Sequence, residues 1–360
     1  MGIEMYKNTK IYIACPANVS TGGVEVLHQI AYHIVNDLNK EAFMYYYDFK
    51  NFIFKTPVHP AYKIYNNHYV LKIPEYEDNE KNILLVPEIL KGLLLLPKYK
   101  KIRKAIWFLS VDNYYLSRLT KKDYFIPRVI NKIFKILSKN KLIIFDITSQ
   151  KILNKLIQKY DYKNDPLLKF ANFYLFQSYY AMQHFKGLNP KYYLSDYLNK
   201  NFLENQVNLS KKEDIVAYNP KKGFSFTKKI ISSAKNIKFV PLINMNREQI
   251  MKILQRTKVY IDFGNHPGRD KIPREAAILG CCVITGRRGA AKFFEDIPIP
   301  DSYKFEDKEE NIPLIVNKIK DCFKNFRKRY RDFDYYREVI KKEPQEFIEN
   351  LKKIFINIEN

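Results

Sequence analysis

The sequence is most informative first for what it lacks. Its four cysteines, Cys15, Cys281, Cys282 and Cys322, include an adjacent pair within an apolar run, and none sits at a C-x-x-C or similar metal-ligand spacing. They read as reduced structural thiols in a reducing compartment. His28, His33, His59, His68 and His184 show no paired ligand spacing either, so no metal is expected. Asp332-Phe333-Asp334 matches a D-x-D metal motif by chance, because it lies in a basic helical region away from any strand end. The opening residues, MGIEMYKNTK, hold no apolar signal core, and Tyr6 stands where a myristoylation motif wants Ser or Thr. The longest apolar run, Ile83 to Pro97, is interrupted by Pro87, Glu88 and Lys91 and is too short to span a bilayer. The expectation is a cytoplasmic protein, at most peripheral on the inner face of the cytoplasmic membrane.

Acidic residues are scarce as well. Against 62 Lys+Arg there are 38 Asp+Glu, a formal charge of +24, which implies an anionic partner such as a nucleotide, a nucleic acid or an acidic lipid. With 28 Tyr and 25 Phe able to stack on bases, a nucleic-acid-binding protein is one alternative. The basic residues are spread along the chain and no binding module is recognisable, so no nucleic-acid partner is expected. An anionic membrane surface is expected, from KYKKIRK (Lys98 to Lys104), Lys121-Lys122 and the amphipathic stretch Val129 to Phe145, which sets Lys132, Lys135, Lys139 and Lys141 opposite its apolar side. An ordinary surface helix packed on its own sheet is the plainer reading of that stretch. A non-catalytic membrane-surface scaffold is a further alternative.

What the chain does contain is alternation. At 360 residues it exceeds the size at which one core stops growing, so two domains are expected. Lys10 to Cys15 reads as a strand, PANVSTGG as a glycine loop, and Val24, Leu27, Ile30, Ala31, Ile34 and Leu38 as the apolar face of a helix. Residues 41 to 105 yield only short strands, Tyr69 to Ile73 and Ile83 to Val86. Ala105 to Val111 reads as a buried strand ending in Asp112-Asn113, at a position where parallel sheets place ligands and where either residue would also cap a helix. NKNFLENQVNLSKKED reads as an interdomain linker. From Asp214 on, strands and helices of about a dozen residues alternate, which means a parallel, doubly wound sheet with its strand-end loops on one edge. The most telling stretch is Lys258 to Gly289: a strand, a polar loop, a helix with Pro273 in its first turn and Gly280 at its stop, and a second strand. His266, Arg269, Asp270, Lys271, Arg274 and Glu275 crowd the helix's positive end, where an anion is favoured.

Two Rossmann-like halves, the GG loop, YNPKKG, WFLSVDNYY, SDYLN and YIDFGNHPGRDKIPREAAILGCCVITGRRGAA together resemble the GT-B glycosyltransferases, in particular a bacterial branch of capsule and lipopolysaccharide assembly. The resemblance implies an α/β fold of two Rossmann-like domains facing each other across a cleft. It implies an acceptor-binding domain over 1–205, a nucleotide-sugar-binding domain over 206–335, and a final helix, 336–360, packing back on the first. It implies transfer of a sugar from a nucleotide-sugar co-substrate to a cell-surface glycan or lipid-linked acceptor, with retention and without metal or cofactor. Glu275 matches the family's second glutamate, which takes the ribose hydroxyls, and Pro267 stands eight residues earlier where the family carries its first. Asp262, His266 and Asp270 are the replacements within reach, with Asp270 and His266 ranked above the more buried Asp262. The remaining donor-side residues are Gly22, Gly23, Asn219, Lys222, Gly223, Gly264, Gly268, Arg269, Arg274, Thr285 and Gly289, with the Arg287-Arg288 pair, and Asp112 and Asn113 lie on the acceptor side.

Overall fold

A computed structural model describes residues 2–119 and 152–358, so Lys121-Lys122 and Val129 to Phe145 lie outside the described residues. Two units emerge: one of Met1–Arg118, Ile157–Asp196 and Pro344–Asn360, the other built mainly on Tyr197–Glu343. Among the described residues no helix is long and apolar enough to cross a membrane. All four cysteines are buried, free thiols.

In the first unit, β1 (Ile3–Met5) stands apart from a larger sheet built of β2 (Lys10–Pro16), β3 (Glu41–Tyr47), β4 (Tyr69–Val70), β5 (Ile83–Pro87), β6 (Arg103–Phe108), β7 (Phe173–Phe176) and β8 (Lys191–Tyr193). Their order is β4-β3-β2-β5-β6-β7-β8, with every pair parallel. Central strands covered on both faces read as continuous apolar runs, and Ile83 to Val86 are all fully buried. Helix α1 (Gly22–Leu38) covers the sheet with Val26, Leu27, Ile30 and Ile34, and Thr21 caps it through Val24 N–H. The strand expected over Ala105 to Val111 ends at Phe108, and α2 (Val111–Leu116) starts three residues on, capped by the Ser110 hydroxyl and not by Asp112 or Asn113. At β8 the sheet ends beside α3 (Tyr179–His184), whose cap is Ser178.

The second unit holds a parallel sheet of β9 (Glu213–Tyr218), β10 (Lys238–Pro241), β11 (Thr257–Asp262) and β12 (Cys282–Thr285) in the order β10-β9-β11-β12. Between the strands run α4 (Phe224–Ser233), α5 (Arg247–Arg256) and α6 (Lys271–Ile278), and after them come α7 (Ile312–Lys324) and α8 (Asp334–Ile354). Asn246 and Gln249 close a reciprocal capping box on α5. Gly280, at φ +85°, ends α6 as expected. The segment read as a linker is built into this unit: residues Lys200–Leu203 are helical, and Phe202 is 1% exposed in the core. Lys212, from the same polar run, is buried, and its ammonium donates to the carbonyls of Leu254, Thr257 and Leu279. Helix α8 passes Glu343 and Pro344, where the two units divide. Its continuation belongs to the first unit, where Phe347 lies beside His33 and β13 (Phe355–Asn357) pairs with β1.

Candidate active site

Three strand-end loops of the second unit close on one another. Gly223, which ends the loop after β9, has φ +65°, and a Cβ there would fall 2.4 Å from Gly264 N in the loop after β11. Gly289, after β12, has φ +58°, and its Cβ would fall 2.1 Å from the His266 carbonyl oxygen. That carbonyl accepts Ala290 N–H at 2.8 Å, so the β11 and β12 loops are joined through backbone that admits no side chain. Gly289→Ala should therefore cost on the order of 2–3 kcal/mol, read from the urea midpoint. Gly286→Ala is its control, because a Cβ there meets nothing closer than 3.5 Å.

On this frame the charged side chains form a chain of contacts. The Lys222 ammonium is ion-paired with Asp270 Oδ2 and reaches the Asn265 carbonyl at 3.3 Å. Asp270 is the N-cap of α6, yet its carboxylate makes no capping hydrogen bond. It faces Lys222 on one side and His266 Nδ1, 2.9 Å away, on the other. Burial opposes its ionisation, but the Lys222 charge and His266 outweigh that and hold the carboxyl well below the usual carboxylate range. His266 is fully buried, and its Nε2 lies 3.6 Å from Asp262 Oδ1. Asp262 in turn accepts the Tyr260 hydroxyl at 2.9 Å and Gly264 N–H at 3.1 Å. Ranking His266 above Asp262 on exposure does not survive, since both are interior; Asp270 and Lys222, about a quarter exposed, are the groups that face outward.

The two arginines expected beside a diphosphate are turned inward. Arg269 and Arg274 close on opposite oxygens of Glu343 at 2.7 and 2.9 Å, with all three side chains buried. Arg274 also donates to the Arg269 carbonyl at 3.0 Å, which ties the loop to its own helix. Glu275 is buried one turn into α6, 3.4 Å from the half-exposed Arg247. Asn219 receives Lys221 N–H and shapes the first loop, Gly268 is buried in the second, and Thr285 is buried at the end of β12. Arg287 and Arg288 pair with Asp301 and Asp307.

Gly22, Gly23, Asp112 and Asn113 belong to the first unit. A Cβ on Gly23 would only touch Leu109 at 3.6 Å, so sterics do not demand glycine there. Asp112 is half-buried and Asn113 exposed on the first turns of α2. A residue that the sequence reading passed over is Glu88, at the carboxyl end of β5. It is 2% exposed and accepts Leu109 N–H at 3.1 Å. Its one signal is a carboxylate inside an apolar run. Burial raises it to about 7 from the ordinary 4.5. Because the folded state holds this proton more tightly, its contribution to stability is complete below pH 4.5 and fades as pH rises through about 7. Glu88→Gln should flatten that part of the stability–pH curve, measured by urea unfolding from pH 4.5 to 8.

Among the described residues, Asp262, His266 and Asp270 are the group that could offer three ligand atoms to a cation, within 4.8 Å of one another. The two imidazole nitrogens face different carboxylates, so only one at a time could serve an ion, and Lys222 already brings a positive charge to Asp270.

No protein-family model and no curated protein matches the sequence. Solved structures do match the fold. HepE of Anabaena, in complex with UDP-glucose, is 12% identical with a TM-score of 0.55, covering 96% of this chain and 99% of its own. The lipopolysaccharide outer core galactosyltransferase WaaB is 8% identical with a TM-score of 0.56, covering 96% and 98%. TarM of S. aureus is longer: the chain spans 56% of it, with 77% of this chain matched at 13% identity and a TM-score of 0.48. The structural neighbours are GT-B glycosyltransferases, and with its two parallel α/β sheets this chain has the GT-B fold.

Proposed function

We propose that this chain is a glycosyltransferase that moves a sugar from a nucleotide-sugar to a cell-surface glycan or lipid-linked acceptor, with retention and without metal, at the inner face of the cytoplasmic membrane. The donor belongs to the second unit and the acceptor to the first. The observation that carries the reading is Lys222, a partly exposed cation held by Asp270 at the start of α6, beyond the carboxyl ends of a parallel sheet. A diphosphate placed there meets an ammonium at the positive end of a helix. As the bond from the anomeric carbon to the phosphate oxygen breaks, Lys222 neutralises the charge left on the diphosphate. The acceptor oxygen bonds to that carbon, and its proton passes to the departing phosphate. Asp270, steadied from behind by His266, faces the sugar, and Glu275 takes the ribose hydroxyls. Arg269 and Arg274, locked on Glu343, hold the loop's shape.

The test is a thermal-shift panel of UDP-, GDP-, CMP- and ADP-linked sugars, beginning with UDP-glucose because the HepE structure contains it. A ligand bound only by the native state raises the melting temperature by mass action. A donor that stabilises the protein and is consumed in the presence of an acceptor supports the reading; no stabilisation by any of the four classes rejects it.

A further inference from the structure

The first unit carries an exposed apolar tip framed by lysines. Between β3 and Pro60 the chain runs Lys50-Asn51-Phe52-Ile53-Phe54-Lys55, with Phe52 80%, Ile53 57% and Phe54 44% exposed. This exposure belongs to an anchored turn. Ile53 and Phe54 N–H both donate to the Lys50 carbonyl at 3.0 and 3.1 Å, and Asn18 holds the following residues through the Thr56 and Pro57 carbonyls at 2.8 and 2.9 Å. Three consecutive large apolar side chains presented to water mark an interaction site, and lysine on both sides restricts the partner to one that is apolar and anionic within a few ångströms.

The base of the same loop forms the wall of a pocket of about 510 Å³, lined by Tyr47, Phe49, Asn51, Leu94, Lys91 and Lys98. Leu71 and Leu94 on this pocket are 51% and 47% exposed, so the apolar surface continues past the tip. Lys91 pairs with Asp48, and Lys98 stands exposed beside it. The Tyr47 hydroxyl, on a side chain nine-tenths buried, has no hydrogen-bond partner among the described residues. Two ammonium groups, a phenol and apolar rims suit the phosphate and upper acyl carbons of a lipid.

We propose that the first unit docks on a bilayer containing anionic phospholipid through the Lys50–Lys55 loop. Phe52, Ile53 and Phe54 enter the boundary between headgroups and acyl chains, Lys50 and Lys55 meet lipid phosphates, and the adjacent pocket seats one headgroup against Lys98 and Lys91. The proposal rests on the membrane part of the reading above and on none of its donor chemistry. Donor binding in the thermal-shift panel should be the same in every loop variant, so the two can fail separately.

The experiment is sedimentation of the full chain with vesicles of phosphatidylcholine, alone or with about a third phosphatidylglycerol. Wild type should bind the anionic vesicles. Phe52→Ser/Ile53→Ser/Phe54→Ser, Lys50→Glu/Lys55→Glu and Lys91→Glu/Lys98→Glu should each reduce partitioning, the triple variant by at least about tenfold, with melting temperatures unchanged because the sites are exposed. Insertion is read separately with Phe52→Trp. The natural Trp107 is fully buried, so quenching by brominated lipid would report the loop. Equal binding by wild type and the triple variant, no binding by wild type, or lipid-free self-association that the triple variant abolishes would each overturn the proposal.

Discussion

Replacing Glu343 with alanine is expected to destabilise the second unit by about 3–5 kcal/mol, the cost of removing the carboxylate from a buried ion-paired group. Two guanidinium groups would remain interior, each having lost the carboxylate it closes on. For a unit of this size the loss corresponds to roughly 6–20 °C in melting temperature. Removing one cation is a different perturbation. Arg269→Ala leaves a neutral Arg274–Glu343 pair and should be the mildest of the three. Arg274→Ala should be intermediate, because it also releases the Arg269 carbonyl. Calorimetry on the three variants checks this order, and an alanine at Glu343 as mild as one at Arg269 would refute the buried-triad account. An apolar replacement of all three, Arg269→Met/Arg274→Leu/Glu343→Met, separates stability from positioning. Well-packed apolar groups can match or exceed a buried ion network in stability, yet the loop would lose its tie and nucleotide-sugar binding should fall.

The second large effect concerns Lys222. Lys222→Ala should lower kcat by about 10²–10³, the usual consequence of removing a preorganised charge from a transition state that develops negative charge. Its partner should behave in the opposite sense toward the nucleotide. Asp270 holds Lys222, so on the proposed assignment a diphosphate competes with a carboxylate for one ammonium. Asp270→Asn removes the competitor, and a nucleoside diphosphate should then bind several-fold tighter while turnover falls, because the group proposed to face the sugar has lost its charge. Isothermal titration with UDP and steady-state rates test the pair. Weaker nucleotide binding by Asp270→Asn would show that Asp270 supports the donor directly and does not restrain Lys222. Asp270 ionises well below its ordinary 3.8, so its stabilising contribution is present above that value and is lost as pH falls further. The competition should hardly vary across neutral pH.

How much of this was legible depends on the range of the interactions. The unit from β11 to β12 could be read because its signals are local: a run of Val259, Tyr260 and Ile261 buried on both faces, a proline in the first helical turn, and a glycine forced to positive φ at the stop. Strand β3, Glu41–Tyr47, was missed. Its three consecutive tyrosines give no alternation, and only burial against β2 and β4 reveals them as a strand. Strands β1 and β13 were missed because each needs a partner about 350 residues away in sequence, which no local pattern announces. Lys212 lies in the stretch that reads as a linker, yet its ammonium is buried and donates to three carbonyls supplied by separate elements.

The sequence by itself determined the parallel α/β alternation, the place of the polar loops beyond the strand ends, and the concentration of charge at the start of α6. These follow from periodicity, proline and glycine, which act over a few residues. Only the tertiary structure decided which charges a ligand could meet. Arg269, Arg274 and Lys222 are equivalent cations on paper; the first two are consumed by Glu343, which packing delivers from 69 to 74 residues further along the chain, while Lys222 is left partly exposed on Asp270. Coulomb energy depends on distance and burial, and both are properties of the packed chain.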